Sequence, residues 1–228
     1  MAKIKLSAIV SEMRGKLNGS VFSKNRGGAY LRTKVTPVNP NTASQGAVRG
    51  ALTGIAQTWR TLTEAQRKAW NTAVSNFTKT DIFGDVRNPS GINLFTRLCM
   101  NLNNIGISYL TDPPLPAQVT YMENVVVVSN ETTPAMTVAL DTIGGTGTCE
   151  LVIEATPMMS AGKDFVKSEF RVIDHKPETT SSPIDILAKY TAKFGAPVTG
   201  QKVFVRLKMV DPATGLTSGY FQSSTITL

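Results

Sequence analysis

The sequence predicts an α+β chain: an extended basic N-terminal arm with a small hairpin, about three α-helices, and then an antiparallel β-sandwich. Three observations predict it. Between residues 42 and 105 the apolar residues recur at three- and four-residue spacing, and beyond Ala117 the period falls to two. A stiff run, Asp112-Pro113-Pro114-Leu115-Pro116, separates the two regimes. Charge divides at the same place: residues 1–110 hold 15 Lys/Arg against 4 Asp/Glu, and residues 111–228 hold 9 against 12. Four segments are expected: an extended basic arm with its hairpin (1–41), a helical domain (42–110), a proline-rich linker (111–117) and the sandwich (118–228).

The arm has no sustained helical period. Short β-favouring runs at 21–24 and 29–32 flank Asn25-Arg26-Gly27-Gly28, which reads as a hairpin turn. A lone two-stranded hairpin is marginal in water. This one carries Lys24, Arg26, Arg32 and Lys34 with little apolar surface, so it needs something to pack on. The expected grip on a partner comprises these four cations, Arg49, and Phe22 and Tyr30 as apolar anchors.

Asn39-Pro40 ends the arm, since the residue before proline is pushed to extended geometry. Thr42 with Gln45 fits a capping box that opens a helix. Its apolar face should be Val48, Leu52, Ile55 and Trp59. Gly46, Gly50 and Gly54 recur on the neighbouring stripe, where each costs up to ~1 kcal/mol relative to alanine. Three in register point to another backbone lying close. Thr63 with Gln66 opens a second helix presenting Trp70, Val74 and Phe77. Trp59 and Trp70 are expected to meet in the seam of this helical hairpin and hold it together. Residues 81–88 read as a loop, and Ser90 caps a third helix with Leu94, Leu98, Leu102 and Ile105 on one face.

Beyond the linker, strands are expected at 118–121, 125–128, 136–140, 149–154, 170–173, 202–210 and 221–228. Turn residues separate them, as at 144–147 and 211–215.

Composition narrows the function. Hydrophobic residues make up 41% of the chain, enough for a packed core. No apolar run approaches the ~20 residues that span a bilayer, so no membrane is expected. The basic start lacks the apolar core of a secretion signal, which places synthesis in the cytoplasm. Cys99 and Cys149 have no CxxC spacing and only one histidine, His175, to join them, so both read as small buried apolar residues. His175 falls in a polar stretch read as a solvated turn. The glycines at 144–147 lack the Lys-Ser/Thr ending of a phosphate-binding loop. No catalytic constellation, metal site or cofactor is expected.

Two resemblances can be named. The closing unit KVFVRLKMVDPATGLTSGYFQSSTITL resembles the end of fibronectin type III and immunoglobulin-like domains, which implies fold and leaves function open. The first ~105 residues resemble a group of uncharacterised proteins from tailed bacteriophages and prophages. The residues are Gly28-Ala29-Tyr30-Leu31-Arg32, then Asn39-Pro40-Asn41-Thr42 with Gln45 and Arg49, then WRTLTEAQRKAW from Trp59 through Trp70, and Gly91-Ile92-Asn93-Leu94-Phe95 with Asn101. This resemblance implies a structural protein of the virion, anchored by arm and helices to the capsid as a decoration. A head–tail connector or tail ring component is the alternative. Its partners would be capsid, portal or tail subunits and further copies of itself. Non-specific contact with nucleic acid through the basic arm is a third reading, since it needs only charge and reach.

Overall fold

The computed structural model describes residues 2–7, 9–25, 27–119, 122–131, 134–143, 149–180 and 182–228, with backbone alone at 122, 123 and 141–143. The chain is α+β, with four α-helices and several antiparallel sheets among the described residues.

The arm forms a small sheet. β1 (Ala2–Lys3), β2 (Gly15–Leu17), β3 (Ser20–Asn25) and β4 (Gly28–Thr33) lie in the order β1-β4-β3-β2. The expected hairpin is β3–β4, with Phe22 opposite Leu31 and Asn25 opposite Gly28. It gains a strand on each side. Asn18-Gly19 is the two-residue connection from β2 to β3, and Asn18 adopts a left-handed φ of 49°. Asparagine tolerates that region and glycine beside it eases the turn.

Three helices follow. In α1 (Ala43–Thr61) the Thr42 hydroxyl accepts from the Gln45 amide. α2 (Glu64–Ala73) opens on a complete capping box between Thr63 and Gln66. The segment 81–88, read as a loop, includes β6 (Val86–Arg87), which pairs in a two-rung hairpin with β5 (Lys79–Thr80) just before the segment. α3 (Gly91–Asn104) is capped by Ser90 and buries Leu94, Phe95, Leu98, Cys99 and Leu102.

The two tryptophans do not meet as expected. Among the described residues their ring partner is Phe95 of α3, with Trp59 at 5.3 Å and Trp70 edge-on at 5.2 Å. A third helix offers a large ring between them, with Trp70 fully buried against it and Trp59 half-buried. The Trp70 indole donates to the Thr111 carbonyl at 3.0 Å, so its buried N–H is satisfied.

The C-terminal half begins with β7 (Met122–Asn130) and β8 (Ala135–Ile143), followed by β9 (Glu150–Ala155), β10 (Met159–Ser160), β11 (Arg171–Pro177), β12 (Ile184–Asp185), α4 (Leu187–Phe194), β13 (Gln201–Val210) and β14 (Phe221–Ile226). Of the first expected strand, 118 and 119 are irregular and 120–121 lie outside the described residues; the turn at 144–147 also lies outside them. β12, β8 and β7 form one sheet; β14, β13, β9 and β11 form another, with β10 beside β13. Alternation sends Val203, Val205, Leu207 and Met209 inward, where they share one core with Met136, Val138 and Ile184 of the other sheet. His175 is in β11, opposite Val152, and not in a turn. The run that holds it simply continues the ladder, with Nδ1 3.7 Å from Glu150.

The outer side of the larger sheet receives α3. Leu102 and Ile105 cluster with Val152 and Val210, and Leu216 joins the helical core. Gly215 fixes this seam. It has φ 68°, its carbonyl accepts from Asn101 at 2.9 Å, and a Cβ there would sit 2.6 Å from the Leu98 carbonyl oxygen.

Candidate interaction surface

Burial starts late in this chain. Among the described residues from 2 to 54 no side chain is buried, and the first is Ile55, at 0% exposure. The same 54 residues contain nine Lys/Arg and one acidic residue, Glu12, a surplus of eight. The whole chain is +8, so residues 55–228 balance, with fifteen of each sign. The positive charge and the missing core therefore coincide.

Some charges of the body pair with one another. Glu154 accepts from Arg206 at 2.7 Å and lies 3.8 Å from Lys208. The Arg206 guanidinium is stacked between Phe170 and Tyr220, at 4.1 and 4.2 Å. Lys163 pairs with Glu169, Lys176 with Asp174 and Lys202 with Asp164. In the arm, Lys24 and Arg14 share Glu12, at 3.7 and 2.9 Å. Lys16, Arg32, Lys34 and Arg49 make no ion pair with a described residue; Arg49 donates to the Asn39 side-chain oxygen at 2.7 Å, which leaves its charge uncompensated. Arg26 lies outside the described residues.

Period-two geometry sorts the remaining grip residues. Register places Phe22, Leu31 and Lys24 on one face of the small sheet with Leu17. Tyr30 and Arg32 are on the other, with Lys3 and Lys16. Phe22 and Tyr30 are half-buried and Lys24, Arg32, Lys34 and Arg49 are exposed. The anchors therefore serve two faces.

A cluster of ion pairs ties the small sheet to the body. The Lys3 ammonium donates to Asp81 at 3.0 Å, and Lys5 lies 3.5 Å from Asp85 and 5.0 Å over the Phe83 ring. Arg87 approaches both carboxylates at 3.5 Å. Asp81 also accepts from the Phe83 and Asp85 amides, at 2.9 and 3.1 Å, and its side chain is 5% exposed. The Lys3 hydrogen bond, helped by those amides, holds its carboxyl down at about 2, against an ordinary 3.8. A carboxyl whose pKa falls on folding stabilises the fold above the unfolded value and loses that contribution as pH drops through the folded one. The clasp is therefore complete above pH 3.8 and opens between there and about 2. The Ile4 amide, bonded to the Ala29 carbonyl at 3.1 Å, reports it. Asp81→Asn should give at neutral pH the low Ile4 protection factor (the intrinsic exchange rate over the observed rate at the same pH) that the natural protein reaches only near the bottom of that window.

α1 presents a further surface. Ile55 is buried and Trp59 half-buried, but Val48 and Leu52 of the same stripe are 61% and 48% exposed. The expected apolar face is covered only in its C-terminal half, because α3 does not reach the first turns. Among the described residues no other backbone lies close along the glycines as expected: a Cβ at Gly54 would meet only the Tyr109 side chain, its hydroxyl at 3.5 Å, and a Cβ at Gly46 or Gly50 would have nothing within 4 Å.

Cys99 and Cys149 are both buried, and burial pushes the Cys99 thiol up to about 11. No group of three His, Cys, Asp or Glu that could hold a metal occurs among the described residues, and none of their helices is long and apolar enough to cross a membrane. No protein-family model, curated protein or solved structure matches the chain.

Proposed function

We propose that this chain is a structural protein of a tailed-phage virion, attached to other particle proteins through residues 1–54 and acting by binding and not by catalysis. The observation that carries this reading is the coincidence of the whole net charge with a segment that has no buried side chain among its described residues. An arm of that kind gains its core only from another surface, and its free cations select an acidic one. The resemblance at 28–32, 39–49 and 59–70 supports a virion origin.

The C-terminal half is read as an immunoglobulin- or fibronectin type III-like sandwich that projects from the attachment point. Setting β10 aside, its strands divide as first, second and fifth against third, fourth, sixth and seventh. That is the division of A, B and E from C, C′, F and G in such domains. The capsid surface is the preferred seat, as a decoration, and a head–tail connector or tail ring is the alternative.

Purified protein added to particles that lack it should bind, and binding should weaken as salt screens the arm. Lys16→Glu, Arg32→Glu and Lys34→Glu together should reduce it at least ~10-fold, since several exposed contacts of ~1 kcal/mol are reversed. Failure of the natural protein to bind at any salt concentration refutes the reading.

A further inference from the structure

We infer that the uncovered half of α1 receives an acidic amphipathic helix from a different particle protein, an inference that rests on the virion reading above. Val48 and Leu52 continue the stripe that Ile55 and Trp59 bury, and they form a four-residue ridge of the kind that seats in the groove of another helix. Beside that ridge runs an open groove of about 350 Å³ lined by Leu52, Ala56 and Arg60. Arg49 lies on the same side of the helix, eleven residues before Arg60 and therefore ~16 Å along the axis.

Charge selects the occupant. α1 contains no acidic residue. The same surface of a second copy would set arginine against arginine, which like charges disfavour. Nucleic acid would meet the arginines but leave Val48 and Leu52 facing phosphate and water. A helix with aliphatic residues on one stripe and Asp or Glu about three turns apart beside it satisfies both features. Both arginine charges are available to it: Arg60 has no ion pair among the described residues and Arg49 bonds only the neutral Asn39 side chain.

Three variants test this in reconstituted particles. Leu52→Asp alone, and Arg49→Glu with Arg60→Glu, should each reduce incorporation at least tenfold, because all three residues are exposed and the isolated protein should melt as before. Lys167→Glu with Lys189→Glu makes the same change in net charge on exposed positions elsewhere and should leave incorporation within twofold. A photo-crosslinking amino acid at position 52 should capture a peptide with an acidic surplus and helical apolar spacing. Incorporation unchanged in both α1 variants, or crosslinks only to further copies of this chain or to DNA, overturns the inference. If position 17 crosslinks to particle proteins while 52 captures nothing, the inference falls and the virion reading stands. If the natural protein never enters particles, both fall.

Discussion

Phe95→Ala should lower the unfolding free energy by about 3–5 kcal/mol, among the largest losses available to a single side chain here. Phe95 has no exposed surface and is the ring against which both tryptophans rest. Its removal leaves a cavity bordered by α1, α2 and α3 at once. About 0.5–1.5 kcal/mol per aromatic pair is lost beyond the burial itself. Denaturant titration followed by tryptophan emission gives a second readout, because both indoles should shift to the red before unfolding begins. Phe95→Leu keeps most of the burial without the ring contacts and should fall between. Unchanged emission in the alanine variant would mean that the indoles do not rely on Phe95.

Gly215→Ala should cost about 2–5 kcal/mol, through two separable causes. A left-handed φ of 68° penalises any residue with a Cβ, by about 1–3 kcal/mol. The added carbon would also stand 2.6 Å from the Leu98 carbonyl oxygen and 3.2 Å from the Leu102 side chain, and a helix backbone cannot swing aside. Gly200→Ala isolates the first cause, since Gly200 has φ 78° and nothing within 4 Å of its Cβ position. The difference between the two melting shifts is the cost of parting α3 from the 211–216 turn. That parting should appear as faster hydrogen exchange at Leu98 and Leu102, with the inner core of β9 and β13 still protected. Equal shifts for the two glycines would show that the close approach contributes nothing.

What could be read from the sequence was local. Thr42, Thr63 and Ser90 all cap helices because a hydroxyl and the amide three residues on need no distant partner. The long strands of the C-terminal half are visible through their alternation, best of all in β13. α4 was hidden although Leu187, Tyr190 and Phe194 have helical spacing, because Ile186 takes the cap position and Asp185 bonds the Leu187 amide from outside the usual pattern. β1 and β2 depend on pairing with the hairpin, which no local period announces; Asn18-Gly19 was the available signal. The candidate surface was half legible. Basic residues and anchors can be read from the chain, but their distribution over two faces follows from register. The end of the covered part of the α1 stripe follows from how far α3 extends.

The balance of charge beyond Ile55 has a consequence for crowding. Free copies repel one another through their +8, and with a screening length of about 8 Å at physiological salt this acts only at short range. A copy whose arm is covered presents a body with fifteen charges of each sign. Neighbours standing side by side would then feel no net repulsion, so dense arrays of the body require little electrostatic work. On the proposed reading, the charge that keeps free molecules dispersed is the charge that attachment would remove, and the same fifty-four residues would serve both solubility before assembly and close spacing after it.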